Sequence, residues 1–269
     1  MGRIYRRQSL GFQVLILAVG GIFSATATAA PASVGLKAES KGKPAVSSVQ
    51  AIVQSAAKKQ DFAPELKQII KIKPAPVTEL VTIFQDGNRA WKERWFAGIA
   101  LSKFQSKESK EALIKGAKDP LSIIRSASMQ SLATYGDDDA TNKVLQEGLN
   151  DSSLLVRDAA VTSLGKIRDR NAVDQLGKEL FNQRNYYRGE PLFAIRENII
   201  QALGDIGSMK GIDPLMKVFE KESNPKLQGL VCTSLEKIVK PEVSKKELNR
   251  CPEYWLSWYK DQNTPTAKK

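Results

Sequence analysis

No histidine occurs anywhere in the 269 residues. Histidine is the side chain whose unperturbed pKa places its charge change near neutrality. Its absence removes histidine general bases, serine–histidine–aspartate and cysteine–histidine nucleophile systems, and every histidine metal ligand. Cysteine is nearly absent too, with Cys232 and Cys251 the whole complement. The apolar run from Leu10 to Phe23 has 14 residues, short of the roughly 20 that a membrane span needs. No P-loop, dinucleotide fingerprint, nucleophile elbow or zinc site can be picked out. Neither a cofactor nor a metal is expected, and no catalytic residue is assigned.

What the first segment does contain is the pattern of a secretory signal peptide over residues 1–29. Arg3, Arg6 and Arg7 precede the apolar run, and small residues lead to Ala27-Thr28-Ala29, with Ala25-Thr26-Ala27 as an overlapping cleavage site. The other reading is an uncleaved anchor in the inner membrane, and Arg6-Arg7 also hints at twin-arginine export. Either way the body is expected outside the cytoplasm, most simply in a bacterial periplasm. Losing the three arginines would lower the formal charge from +12 to +9. Such a balance favours anionic partners or marks a solvated basic surface.

Residues 30–46 are small, basic and interrupted by Pro and Gly, as in a flexible linker. Residues 47–76 carry short helical patterns that suit an N-terminal cap. From residue 77 the chain becomes repetitive. "DSSLLVRDAAVTSLGKI" (151–167) follows "DPLSIIRSASMQSLATY" (119–135), and in both an aspartate precedes an arginine by six positions: Asp119 and Arg125, Asp151 and Arg157. Leucine follows the arginine by seven. The spacing recurs at Arg94 and Leu101, at Arg196 and Leu203, and in a weaker copy at Gln228 and Leu235. Four residues after the anchors come Gly98, Met129, Val161, Ile200 and Cys232. Spacings of four, seven and ten mark one stripe of an α-helix. Segments such as "KEALIKGA", "TNKVLQEGL" and "IDPLMKVFEK" supply a partner helix upstream of each. The unit is a helical hairpin of about 32 residues, repeated about five times over residues 77–242.

These residues resemble the HEAT-repeat family. The resemblance implies an all-α fold, a right-handed α-solenoid of about five HEAT-like hairpins. It also implies that Asp119, Arg125, Asp151 and Arg157 form a structural ladder between neighbouring repeats, with Arg94 and Arg196 as further members. Residues 243–269 then form an aromatic capping helix and a basic tail. Solenoid repeats stabilise one another by stacking, so the ends need caps.

The anchors step by 31, 32, 39 and 32 residues. The long interval contains "NQRNYYRGEP" (182–191), an insertion that is either a plain loop or a contact site for a protein partner through Arg184, Tyr186, Tyr187 and Arg188. Three carboxylates in "GDDDA" (136–140) suit a helix N-cap and lack the ligand spacing of a calcium loop. Trp91, Trp95, Trp255 and Trp258 suit packing at the two ends, with a ligand cage as the other reading. Cys232 and Cys251 are either a disulfide that pins the terminal helix or two free thiols.

With no catalytic constellation, the leading expectation is a non-enzymatic protein–protein interaction scaffold in the periplasm or cell envelope. A second class is a basic binder of anionic envelope polymers or lipids. A third is a HEAT-like enzyme, resembling DNA glycosylases or bilin lyases. The leader argues against a chromosome as substrate, so nucleic acid is disfavoured.

Overall fold

The computed structural model describes residues 48–187, 190–191, 193–242, 245–248 and 250–263, which belong to one compact unit, Val46–Lys269. The expected signal peptide, the linker and Arg188 lie outside the described residues, as do residues 264–269 of the tail.

The fold is an all-α solenoid. Helices α1 (Ser48–Ala57) and α2 (Ala63–Lys71) precede five hairpins. These are α3 (Val77–Gln85) with α4 (Trp91–Leu101), α5 (Lys107–Gly116) with α6 (Ser122–Leu132), and α7 (Asp139–Gly148) with α8 (Leu154–Ile167). Then come α9 (Val173–Glu179) with α10 (Phe193–Ile206), and α11 (Ile212–Lys221) with α12 (Pro225–Val239). A short α13 (Lys245–Leu248) leads to α14 (Glu253–Asn263). Between α9 and α10 the inserted residues pair as a minimal antiparallel hairpin, β1 (Tyr186–Tyr187) with β2 (Glu190–Pro191).

Helix boundaries follow local chemistry. Ser106 caps α5 by accepting from Ser109 N at 3.0 Å, and Asp138 caps α7 by accepting from Thr141 N at 3.2 Å. Asn224 caps α12 from two backbone amides, with Pro225 at its first position, where a missing N–H costs nothing. Gly207 ends α10 with φ +70°, a left-handed conformation that favours glycine.

Packing follows the stripe. Leu101, Leu132, Leu164, Leu203 and Leu235 are all 0% exposed, each contributing about 1.5–3 kcal/mol by leaving water. The second helices α4, α6, α8, α10 and α12 pack in series, α4 on α6, α6 on α8, α8 on α10, and α10 on α12. Small residues let them approach: a Cβ on Gly165 would stand 2.9 Å from Ala202 Cα. Serine hydroxyls cross the same seams, Ser163 Oγ donating to Met129 O at 3.0 Å and Ser234 Oγ to Ile200 O at 2.9 Å.

The tryptophans divide. Trp95 packs edge-on against Phe62, with ring centroids 5.0 Å apart, and Trp255 of α14 is fully buried. Trp91 remains 42% exposed at the start of α4 beside Lys92, so the packing expected for it does not occur. It begins its helix on the solvent side, ahead of the buried stripe. Cys232 and Cys251 form a disulfide with Cα atoms 6.3 Å apart, joining α12 to the segment before α14. No helix among the described residues is long and apolar enough to cross a membrane.

Candidate functional site

An arginine ladder runs along the stack and leads into the insertion. Arg94 pairs with Asp119 of the next repeat. Arg125 grips Asp151 with two bonds of 2.8 Å and donates back to Asp119 O at 2.8 Å. The guanidinium holds the Asp151 carboxyl below its ordinary value, and Asp151 raises Arg125 in return. Arg196 pairs with Glu222, and Gln228 donates to Glu222 O at 2.9 Å. Glu222 and Gln228 therefore fill the acid and anchor positions of the last repeat, six residues apart like Asp119 and Arg125 or Asp151 and Arg157.

The third rung, at Arg157, is different. Arg157 donates to Asp151 O and Ser152 O at 3.0 Å each, and also to Arg184 O at 3.1 Å and Asn185 Oδ1 at 3.0 Å. Asn185 occupies the column that aspartate fills elsewhere. Its amide donates to Glu179 O at 2.8 Å and to the Glu179 carboxylate at 3.3 Å. Arg184 turns inward, bonding Glu179 Oε1 at 2.7 Å and Leu149 O at 3.2 Å. Burial, then the neighbouring Arg184 guanidinium, pulls Arg157 below the usual arginine value. Of the four residues expected to meet a partner, Arg184 is thus committed to fastening the stem. Tyr186 and Tyr187 form β1, and Arg188 lies outside the described residues.

Asp158, one position after the anchor on α8, is a second feature, and one the sequence reading passed over. It is half-buried, and Asn198 of α10 donates to its Oδ1 at 2.7 Å. The same register position holds Trp95, Ser126, Glu197 and Gly229 in the other repeats. Glu197 is neutralised by Lys226 at 2.7 Å, and Asp205, further along α10, by Lys237 at 2.6 Å. Among the described residues no cation pairs with Asp158, and burial raises its carboxyl above the ordinary value. A signal was present: positions three and four away are Leu154, Leu155, Val161 and Thr162, none of them basic. Among the described residues no group of three or more cysteine or acidic side chains is placed to hold a metal ion.

These repeats match a known family over the helices that carry both features. The PBS lyase HEAT-like repeat matches residues 156–182 and 195–221, the units α8–α9 and α10–α11 on either side of the inserted hairpin. The two matched units are HEAT-like repeats. No curated protein matches the chain. Among solved structures, the chain is similar to a chain of the CpcE–CpcF complex of phycocyanin lyase from Nostoc sp. PCC7120. The identity is 20% and the TM-score 0.49, over 61% of this chain and 65% of that one. It therefore spans less than two thirds of the length of that neighbour. It is also similar to an engineered protein, at 18% identity and TM-score 0.49, over 71% of this chain and 89% of that one.

The family match corrects two expectations. A repeat named for a lyase overturns the non-enzymatic scaffold of the envelope, and with it the expectation that the chain is not an enzyme. The physical reason is that missing histidine excludes histidine chemistry alone, since a carboxylate can also move a proton. Nothing in the comparisons supports an anionic polymer or lipid as partner.

Proposed function

We propose that this chain acts in a lyase reaction on a chromophore-bearing protein partner. The observation that carries the reading is the match of the PBS lyase HEAT-like repeat to residues 156–182 and 195–221. The geometry is compatible with such work. The two matched units abut through α8 and α10. The hairpin between them stands on a stem whose polar groups, Arg157, Glu179 and Asn185, are buried and mutually bonded. A rigid base of this kind holds a site in place better than a loose loop does.

The reading is tested by incubating the purified protein with phycocyanin and following the chromophore covalently attached to the phycocyanin polypeptide. Gain or loss of attached chromophore that requires the protein supports the proposal. Unchanged attachment in both directions, from chromophore-free and chromophore-loaded phycocyanin, ends it.

Export is a separate proposal. It is supported by Arg3, Arg6 and Arg7 ahead of the 14-residue apolar run and by the disulfide, which suits an oxidising compartment. Cell fractionation with N-terminal sequencing of the mature protein tests it, and an intact Met1 in the cytosolic fraction would refute it.

A further inference from the structure

We propose that the cavity at the first ladder rung binds a small organic oxyanion, a carboxylate or phosphate ester carried on a compact apolar body. None of the residues that form it lies in the stretches matched to the lyase repeat, so the site is independent of the lyase reading.

The first rung leaves its arginine short of an acceptor. At the next two rungs the guanidinium Nη1 donates to two carbonyls of its own turn. Arg125 reaches Asp119 O at 2.8 Å and Pro120 O at 3.1 Å, and Arg157 reaches Asp151 O and Ser152 O at 3.0 Å each. Those turns are shaped by the aspartate six before the anchor, Asp119 accepting from Leu121 N at 2.9 Å and Asp151 from Ser153 N at 2.8 Å. The first hairpin makes the equivalent bond two residues earlier, Asp86 accepting from Asn88 N at 3.0 Å. Its guanidinium is placed differently. Arg94 Nε donates to Phe84 O, near the end of α3, at 3.0 Å, and Nη2 donates to Asp119. For Nη1 there remains Asp119 Oδ1 at 3.5 Å, the outer limit of a hydrogen bond. Arg94 is 4% exposed, and buried donors are ordinarily paired.

Beside this guanidinium lies a cavity of about 320 Å³, walled by Phe84, Gln85, Lys115, Lys118 and Pro120. Ligand sites run from about 300 to 1,000 Å³, so this one suits a small molecule. Lys115 has a neutral partner, Gln85 Oε1 at 3.3 Å, and among the described residues no acid pairs with Lys115 or Lys118. Asp119 is the one acid in the wall, and it is already held by Arg94 and Leu121 N. The negative dipole ends of α3 and α5 lie at the same place and oppose an anion. Each amounts to about half a charge, whereas three cations less one acid give the lining a net +2. Cations therefore prevail. The exposed lysines meet the oxyanion at the mouth, and the arginine fork supplies the directed donor. Phe84 and Pro120 offer apolar wall to the rest of the molecule.

The isotope-labelled full chain is titrated at low ionic strength with benzoate and with phenyl phosphate, and backbone amide shifts are followed. Neutral benzamide and inorganic phosphate are the controls. Either organic oxyanion should give saturable shifts centred on Phe84, Gln85 and residues 115–119, absent with benzamide. Lys115→Met combined with Lys118→Met should weaken binding about tenfold, the sum of two solvent-screened charge contacts. Both side chains are exposed, so this variant should keep the parent's melting temperature. Lys143→Met, at an exposed position of α7 outside the cavity wall, should bind as the parent does. Shifts scattered over the surface without saturation would overturn the proposal. Benzamide binding as tightly as benzoate, or inorganic phosphate as tightly as phenyl phosphate, would do the same. So would a double variant that binds as tightly as Lys143→Met.

Discussion

Asn185 faces two ways: its side-chain oxygen accepts from Arg157 at 3.0 Å while its amide donates to the Glu179 backbone at 2.8 Å and carboxylate at 3.3 Å. An aspartate, as used at the earlier rungs, satisfies the first contact and would oppose the second. The amide is therefore the side chain that lets the ladder pass into the insertion without burying two carboxylates against each other.

Asn185→Ala should cost about 1.5–3 kcal/mol, because a buried guanidinium loses its side-chain acceptor. Asn185→Asp should also destabilise, through repulsion with Glu179, and Glu179→Gln should relieve much of that cost. Denaturant unfolding of the two single variants and the double variant checks this, and additive costs would contradict it.

Arg125 and Asp151 are each about 15% exposed in their side chains, so breaking the pair should cost about 3 kcal/mol. Arg125 depresses the folded-state value of Asp151. The stabilisation is therefore present above the unfolded carboxylate value and is lost as pH falls through the lower folded value. Unfolding curves of the parent and Asp151→Asn should converge on acidification. A constant gap across the acid range would show that the pair does not supply this pH dependence.

The disulfide spans 19 positions, and the chain-entropy model assigns such a loop about 3 kcal/mol. Cys232→Ser with Cys251→Ser should lower the melting temperature and speed amide exchange in α14 first. Exchange that rises equally in every helix would refute a local role. Tyr259 supplies a second tie, donating to Asp213 at 2.8 Å.

Gly165→Ala should destabilise by about 1–3 kcal/mol, since its Cβ would meet the Ala202 backbone and α8 and α10 would have to separate. Gly87, with nothing within 4 Å of a built Cβ, is the matched control, expected within about 0.5 kcal/mol. Thermal melts of the two variants decide it.

The stack was legible because its register repeats. Arg94, Arg125, Arg157, Arg196 and Gln228 lie on the second helices of the five hairpins, and the leucine seven residues on is fully buried in each. Reading a column by residue identity was the weakness. Glu222 and Asn185 take the acceptor role of aspartate, one with a longer acid and the other with a neutral amide. The excess of the 39-residue interval announced the insertion, but two-residue strands carry too little alternation to be seen. Asp158 escaped notice because a carboxylate on a helix surface is ordinary until its neighbours prove unable to neutralise it. Absent histidine was weighed too heavily against catalysis.

The most direct test of the central claim is the mass of the phycocyanin polypeptide before and after incubation with the purified protein. The lyase account predicts a shift by the mass of one chromophore, gained or lost, that disappears when the protein is omitted. Identical masses with and without the protein, starting from both chromophore-free and chromophore-loaded phycocyanin, would contradict it.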